Sequence, residues 1–234
     1  MPTVNIAARF CGPPNCANGG YFAARLASFA QQTVRVRLSA PIPLNIELQV
    51  IERAAGRLDL LSAGEVIAYA EPGELQLDIP SAPDYVDAIA ASRRFIAFDH
   101  HAFPGCFVCG TARSRGDGLR IFAGPNVGKT LVAAPWMPDE TLAGADGKVA
   151  AEFMWAALDC PGYYAARDDG APMLLGEFTA HVDRLVHVDE PCVVIGWRIA
   201  VQGRKYEVGT ALFDEDGELC GRARAVWLER KPQS

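Results

Sequence analysis

No run of apolar residues in this chain approaches the ~20 that a membrane-crossing helix needs, so no such helix is expected. The opening residues, MPTVNIAARF, lack the charged start and long apolar segment of an export signal, which makes a cytoplasmic location the default expectation. Positive charge is also scarce. Lys and Arg number 22 against 28 Asp and Glu, and with a net charge of −6 and no basic run the sequence argues against nucleic acid or an anionic membrane as a partner. Nor is there a disulfide framework. Seven cysteines, an odd number at irregular spacing without an export signal, read as reduced thiols.

Half of the 234 residues are apolar, enough to fill one large domain or two small ones. The most apolar stretch, KVAAEFMWAALDCPGYYAAR from Lys148 to Arg167, predicts a helix that is hydrophobic on nearly every side and therefore buried. Glu152 and Asp159 stand seven residues apart in it, on almost the same face and roughly 10 Å apart along the axis. An enclosed carboxylate is costly unless paired or put to use, so these two are the first candidates for chemistry. Blander roles exist for both. Glu152 could simply favour the dipole of a first helical turn, and Asp159, just before Cys160, Pro161 and Gly162, could reach water at a kink.

In chain order, VNIAARF predicts a short strand and CGPPNCANGGY a tight loop. Phe22, Leu26, Phe29 and Ala30 then recur at helical spacing, with Asn18 as N-cap and Gly19 and Gly20 in the first turn. Glycines there leave the backbone bare, or merely ease the loop into the helix. VRVRL alternates as a half-buried strand does, and PIPL, IELQVI, RLDLLSA and EVIAYA follow as an antiparallel meander. Residues 81–105 read as a Pro-bounded connector with a helix from Asp84 to Arg94. The second half predicts strands GLRIF and TLVAAPW, the buried helix, and four more strands between Met173 and Arg230, with turns at Gln202–Gly203 and Asp214–Glu218. The order of elements matches between halves. This predicts an α+β chain made of two copies of one unit, 1–80 and 106–234, each a helix wrapped by an antiparallel sheet.

Three segments carry a resemblance to the double-hotdog acyl-CoA thioesterases: NGGYFAARLASF, CFVCGTARSRGDGLRIF and WAALDCPGYYAA. The second is similar to the Cys-Phe-x-Cys-Gly segment of phenylacetyl-CoA-thioesterase-like members. In that family, the resemblance implies, a helix N-terminus presents N–H groups to a thioester carbonyl while an acid from the facing helix attacks it or activates water. The parts are divided unequally here. Asn18, Gly19 and Gly20 open the first helix, Asn18 standing where histidine is commoner, whereas Asp159 lies in the second half and Ala27 and Ser28 stand where the first helix would carry an acid. The expectation is one complete thioester-hydrolysing site, Gly19 and Gly20 facing Asp159, with Glu152 in reserve. Acyl-CoA binding without cleavage and, more distantly, enoyl-CoA hydration are the alternatives.

Tyr21, Phe22, Trp155, Tyr163 and Tyr164 are candidates to line an acyl pocket. Arg204 and Lys205, with Arg222 and Arg224, are candidates for the phosphates of coenzyme A, or else solvated strand edges. Hotdog sheets commonly pair, so a homodimer is the default. Cys106 and Cys109 follow His100 and His101 at ligand-like spacing, but no second cysteine pair follows; packed thiols, no metal and no cofactor are expected. AGPNVGKT misses a phosphate-binding loop because Ala123 replaces its first glycine. His181 and His187 read as packing or surface residues, although DRLVH holds the residue types of a hydratase dyad, and Cys160 reads as a buried thiol.

Overall fold

The computed structural model describes residues 2–128, 130–166 and 172–229. Its first half contains strand β1 (Thr3–Val4), helix α1 (Gly19–Ala27) and strands β2 (Val34–Leu38), β3 (Leu48–Glu52), β4 (Leu58–Ser62) and β5 (Glu65–Pro72). Helix α2 (Tyr85–Ser92) follows. The second half contains β6 (Gly124–Pro125), β7 (Leu131–Trp136), helices α3 (Ala151–Ala157) and α4 (Cys160–Ala166), and strands β8 (Met173–Val182), β9 (Cys192–Gln202), β10 (Lys205–Phe213) and β11 (Leu219–Glu229). All eleven strands join one sheet, ordered β1-β3-β4-β5-β2-β8-β11-β10-β9-β7-β6, and every pairing is antiparallel.

The alternation in VRVRL places β2 at the centre of this sheet. Val34 and Val36 are buried against α1, while Arg35 and Arg37 face out to meet Glu71 of β5 and Glu177 of β8. On the inner face, α1, α3 and α4 share one apolar core spanning both halves, with Phe22, Leu26, Met154, Leu158 and Phe178 fully enclosed. On the outer face, α2 sets Ala88 and Ala91 on Ala133, Ile195 and Trp197. The segment 81–105 is thus more than a connector: its helix, which Asp84 caps by accepting from the Asp87 N–H, covers the sheet.

Several expected elements are shorter or missing. Of VNIAARF only Thr3–Val4 is strand, because the chain turns into a short 3-10 segment at Ala8–Phe10. PIPL forms no strand, since its prolines withhold ladder donors. GLRIF is not a strand either. Arg120 has φ +55°, which breaks an extended ladder, and Leu119 and Ile121 instead donate to the carbonyls of Phe107 and Val108. The long helix begins at Ala151, not Lys148, and Arg167 lies outside the described residues. Near Asp159 it breaks in two because Pro161 has no N–H to continue the ladder. The Thr210 hydroxyl of β10 donates to the Leu158 carbonyl at 2.7 Å, fixing the joint to the sheet.

Candidate functional site

The joint between α3 and α4 holds Asp159, which is 2% exposed. Opposite it, the Asn18 side chain caps α1 by accepting from the Tyr21 N–H at 2.9 Å. The same amide turns its Nδ2 onto Asp159 Oδ2 at 2.7 Å, and the Gly20 N–H donates to that oxygen at 3.1 Å. Only glycine fits at position 20. A Cβ there would come within 2.7 Å of both the Asp159 Cβ and the Trp155 carbonyl, so the bare backbone lets the two helices cross. The acid therefore reaches no bulk water at its kink. Burial, the largest influence, pushes its carboxyl up to about 7; the Gly20 and Asn18 donors oppose this, and the neighbouring Cys106 sulfur adds to it.

Among the described residues, Asp159 Oδ1 is buried without a hydrogen-bond partner. Asp159 forms part of the wall of a cavity of about 280 Å³, together with Asn18 and Gly19. Ile42, Met173 and Leu175 supply apolar wall, and Tyr163, Tyr164 and Trp227 aromatic wall. Trp227 brings a second orphan. Its indole Nε1 is likewise buried without a partner among the described residues, facing Gly162 of α4.

A further wall is made by Cys106, Cys109, Cys160 and His101. The His101 Nδ1 accepts from the Phe103 N–H at 2.9 Å, which leaves its proton on Nε2, 3.1 Å from the Tyr164 hydroxyl. Burial lowers the histidine's pKa and keeps it neutral. The Tyr164 hydroxyl in turn donates to Cys109 Sγ at 3.8 Å. Burial, with the Cys109 and Cys160 sulfurs, raises that phenol far above its ordinary range.

The sequence-derived candidates separate into two groups. Asn18, Gly19, Asp159, Tyr163 and Tyr164 meet at the cavity, with Gly20 behind them. The others do not. Glu152 sits in the first turn of α3, 3.8 Å from Arg25, its side chain 30% exposed and outside the cavity wall. Tyr21 stacks on Phe10 with ring centroids 4.1 Å apart, Phe22 is fully buried, and Trp155 packs on Phe178; these are core residues. Arg204 donates to the Glu229 carbonyl at 3.1 Å and Lys205 lies in register with Leu228, and neither lines the cavity. Arg222 and Arg224 pair with Asp183 and Glu207. His181 and His187 are exposed, and DRLVH forms no dyad because Asp183 engages Arg222. The AGPNVGKT segment continues into strand β7, and its Lys129 lies outside the described residues. His101 stands beside Cys106 and Cys109 as its place in the sequence suggested, whereas nothing local announced Trp227 or Thr210 here, for the long-range folding that brings them leaves no local pattern.

No protein-family model matches the chain, and no curated protein does. Solved structures do. The tesB protein of Mycobacterium avium subs paratuberculosis aligns with 98% of this chain and 92% of its own at 13% identity and a TM-score of 0.64. A conserved protein of unknown function with a hot dog fold, from Alicyclobacillus acidocaldarius, aligns with 99% of this chain and 93% of its own at 12% identity and a TM-score of 0.61. A protein of Novosphingobium aromaticivorans, assigned as a thioesterase, aligns with 98% of this chain and 95% of its own at 12% identity and a TM-score of 0.61. At such identities the likeness speaks for architecture, and the architecture of this chain is the hotdog fold.

Proposed function

We propose that the chain is an acyl-CoA thioesterase made of two tandem hotdog units, 1–80 and 106–234 joined by 81–105, with one working site between them. The strand orders β1-β3-β4-β5-β2 and β7-β9-β10-β11-β8 support the tandem reading, because each half runs its strands through the same sequence about its own helix. The likeness to thioesterase-assigned structures supports the reaction class.

The observation that carries the activity is Asp159. One oxygen is held by Asn18 and Gly20 from the first unit, and the other is left without a partner on a residue of the cavity wall. A carboxylate so fixed can attack a thioester carbonyl or take a proton from water beside it. The apolar walls suit an acyl chain, and Arg204 and Lys205, outside the lining, are proposed to meet the phosphates of coenzyme A. A dimer through the sheet edges remains part of this proposal.

One observation favours binding without turnover. The Gly20 N–H, expected to face an oxyanion, is already engaged by Asp159, so the start of α1 has fewer donors to spare for the substrate.

A thiol-release assay over short, long, branched and aromatic acyl-CoAs tests the proposal. The wild type should release thiol, and Asp159→Asn should lower the rate at least about a hundredfold. Release unaffected by the substitution would remove Asp159 from the chemistry. Binding with no release from any thioester would establish the non-catalytic alternative.

A further inference from the structure

Cys160 follows Asp159 in sequence but is 54 positions from Cys106. The fold nonetheless gathers Cys106, Cys109 and Cys160 so that all three sulfurs lie within 4.8 Å of one another, with Cys106 and Cys160 3.7 Å apart. Thiolates bound tetrahedrally to zinc at about 2.3 Å stand about 3.8 Å from each other, so the observed spacing already approximates that of a coordination sphere. We propose that Cys106, Cys109 and Cys160 form a three-thiolate site for a thiophilic divalent cation, Zn²⁺ by default, whose fourth position opens into the cavity.

The loop carrying the first two ligands is shaped for this purpose. The Gly110 N–H donates to the Cys106 carbonyl at 2.9 Å, and a Cβ at position 110 would strike the carbonyl oxygens of Cys106 and Pro104. Cys-Phe-Val-Cys-Gly is thereby wound into a tight turn. All three thiols are buried, at 3, 4 and 6% exposure, yet all three residues line the cavity, which supplies the entry path. A divalent ion takes all three, and the displaced thiol protons leave to solvent.

His101, the histidine that accompanies the cysteines in sequence, stands one step back. Its Nε2 meets the Tyr164 hydroxyl, and that hydroxyl donates to Cys109, the arrangement of an outer-shell pair orienting a ligand. The fourth donor then comes from the cavity, as water or as a ligand group. This inference does not depend on thioester hydrolysis, and its test does not read activity.

The full chain, purified reduced and stripped of metal, is titrated with Zn²⁺ and with Co²⁺. We expect uptake of one ion per chain, thiolate-to-cobalt charge-transfer bands with the intense ligand-field bands of tetrahedral cobalt, and protection by zinc of three of the seven cysteines from a thiol reagent. Cys160→Ser and Cys109→Ser, each checked for native circular dichroism, should weaken zinc binding by more than the roughly 10–100-fold that outer-shell changes cause. Cys192→Ala, outside the cluster, should bind as the wild type does. Wild-type protein showing no charge-transfer band and equal thiol reactivity with and without zinc would overturn the site. So would a Cys106–Cys160 disulfide that, once reduced, leaves protein unable to take up either metal.

Discussion

Two buried aspartates of this chain titrate in opposite directions, and the difference lies in what surrounds each. Asp159 meets two neutral donors and a sulfur of negative character, so burial dominates and its carboxyl rises to about 7. Asp214 is buried as well, but its Oδ1 accepts from the N–H groups of Asp216 at 3.0 Å and Glu218 at 2.8 Å, and its Oδ2 pairs with Arg184. Burial pulls upward there too. The backbone donors and the guanidinium overcome it and hold the acid below its ordinary value. A depressed carboxylate contributes stability that is present above the unfolded value of about 3.9 and is lost as pH falls through the lower folded value. Asp214→Asn should therefore cost about 1–3 kcal/mol near neutral pH, and the gap from wild type should close in strong acid. Denaturant midpoints of both proteins across the acid range check this; a gap independent of pH would refute it.

At the scale of elements, the crossing of α1 and α3 decides whether a site exists. Gly20→Ala must push the first helix off the joint that carries Asp159, since the added methyl meets a carbonyl and a Cβ with no flexible end to yield. We expect a loss of about 1–3 kcal/mol in unfolding free energy. Thiol release should fall with it, because the donor to Oδ2 moves. Gly19→Ala meets only the Leu175 side chain, which can turn aside, and should cost less in a paired measurement by thermal melting. The sequence showed both glycines with equal weight. Their unequal roles come from the crossing angle, which periodicity does not encode.

Across the whole molecule, the halves of the sheet meet at β2 and β8 over a register of only two residue pairs, Val36 with Phe178 and Arg37 with Glu177. Ladder bonds so few would hold two units weakly. The apolar core beneath is continuous, however, and Asp159 of one half is bound by Asn18 and Gly20 of the other. Chemical unfolding should consequently follow a single transition, with fluorescence and circular dichroism coincident. Two separated transitions would show that the halves fold independently.

By itself the sequence determined the periodic and the locally capped parts. Alternation in VRVRL, the Asn18 cap, the breaking effect of Pro161 and the turns at Gly203 and Asp214 each act within a few residues, so their outcome is legible without the fold. Residue identity also singled out Asp159, because a carboxylate in an apolar stretch is costly anywhere. Tertiary structure alone decided the rest. It separated Glu152, paired with Arg25 at the surface, from Asp159, enclosed at a joint, though both stood on one predicted face. It turned GLRIF from a strand into a partner for the cysteine loop, and it brought Cys160 to Cys106 and Trp227 to the cavity. The contact of Cys160 with Cys106 crosses 54 residues, set by how a sheet closes over three helices, and no local pattern in a chain can specify which distant side chain arrives.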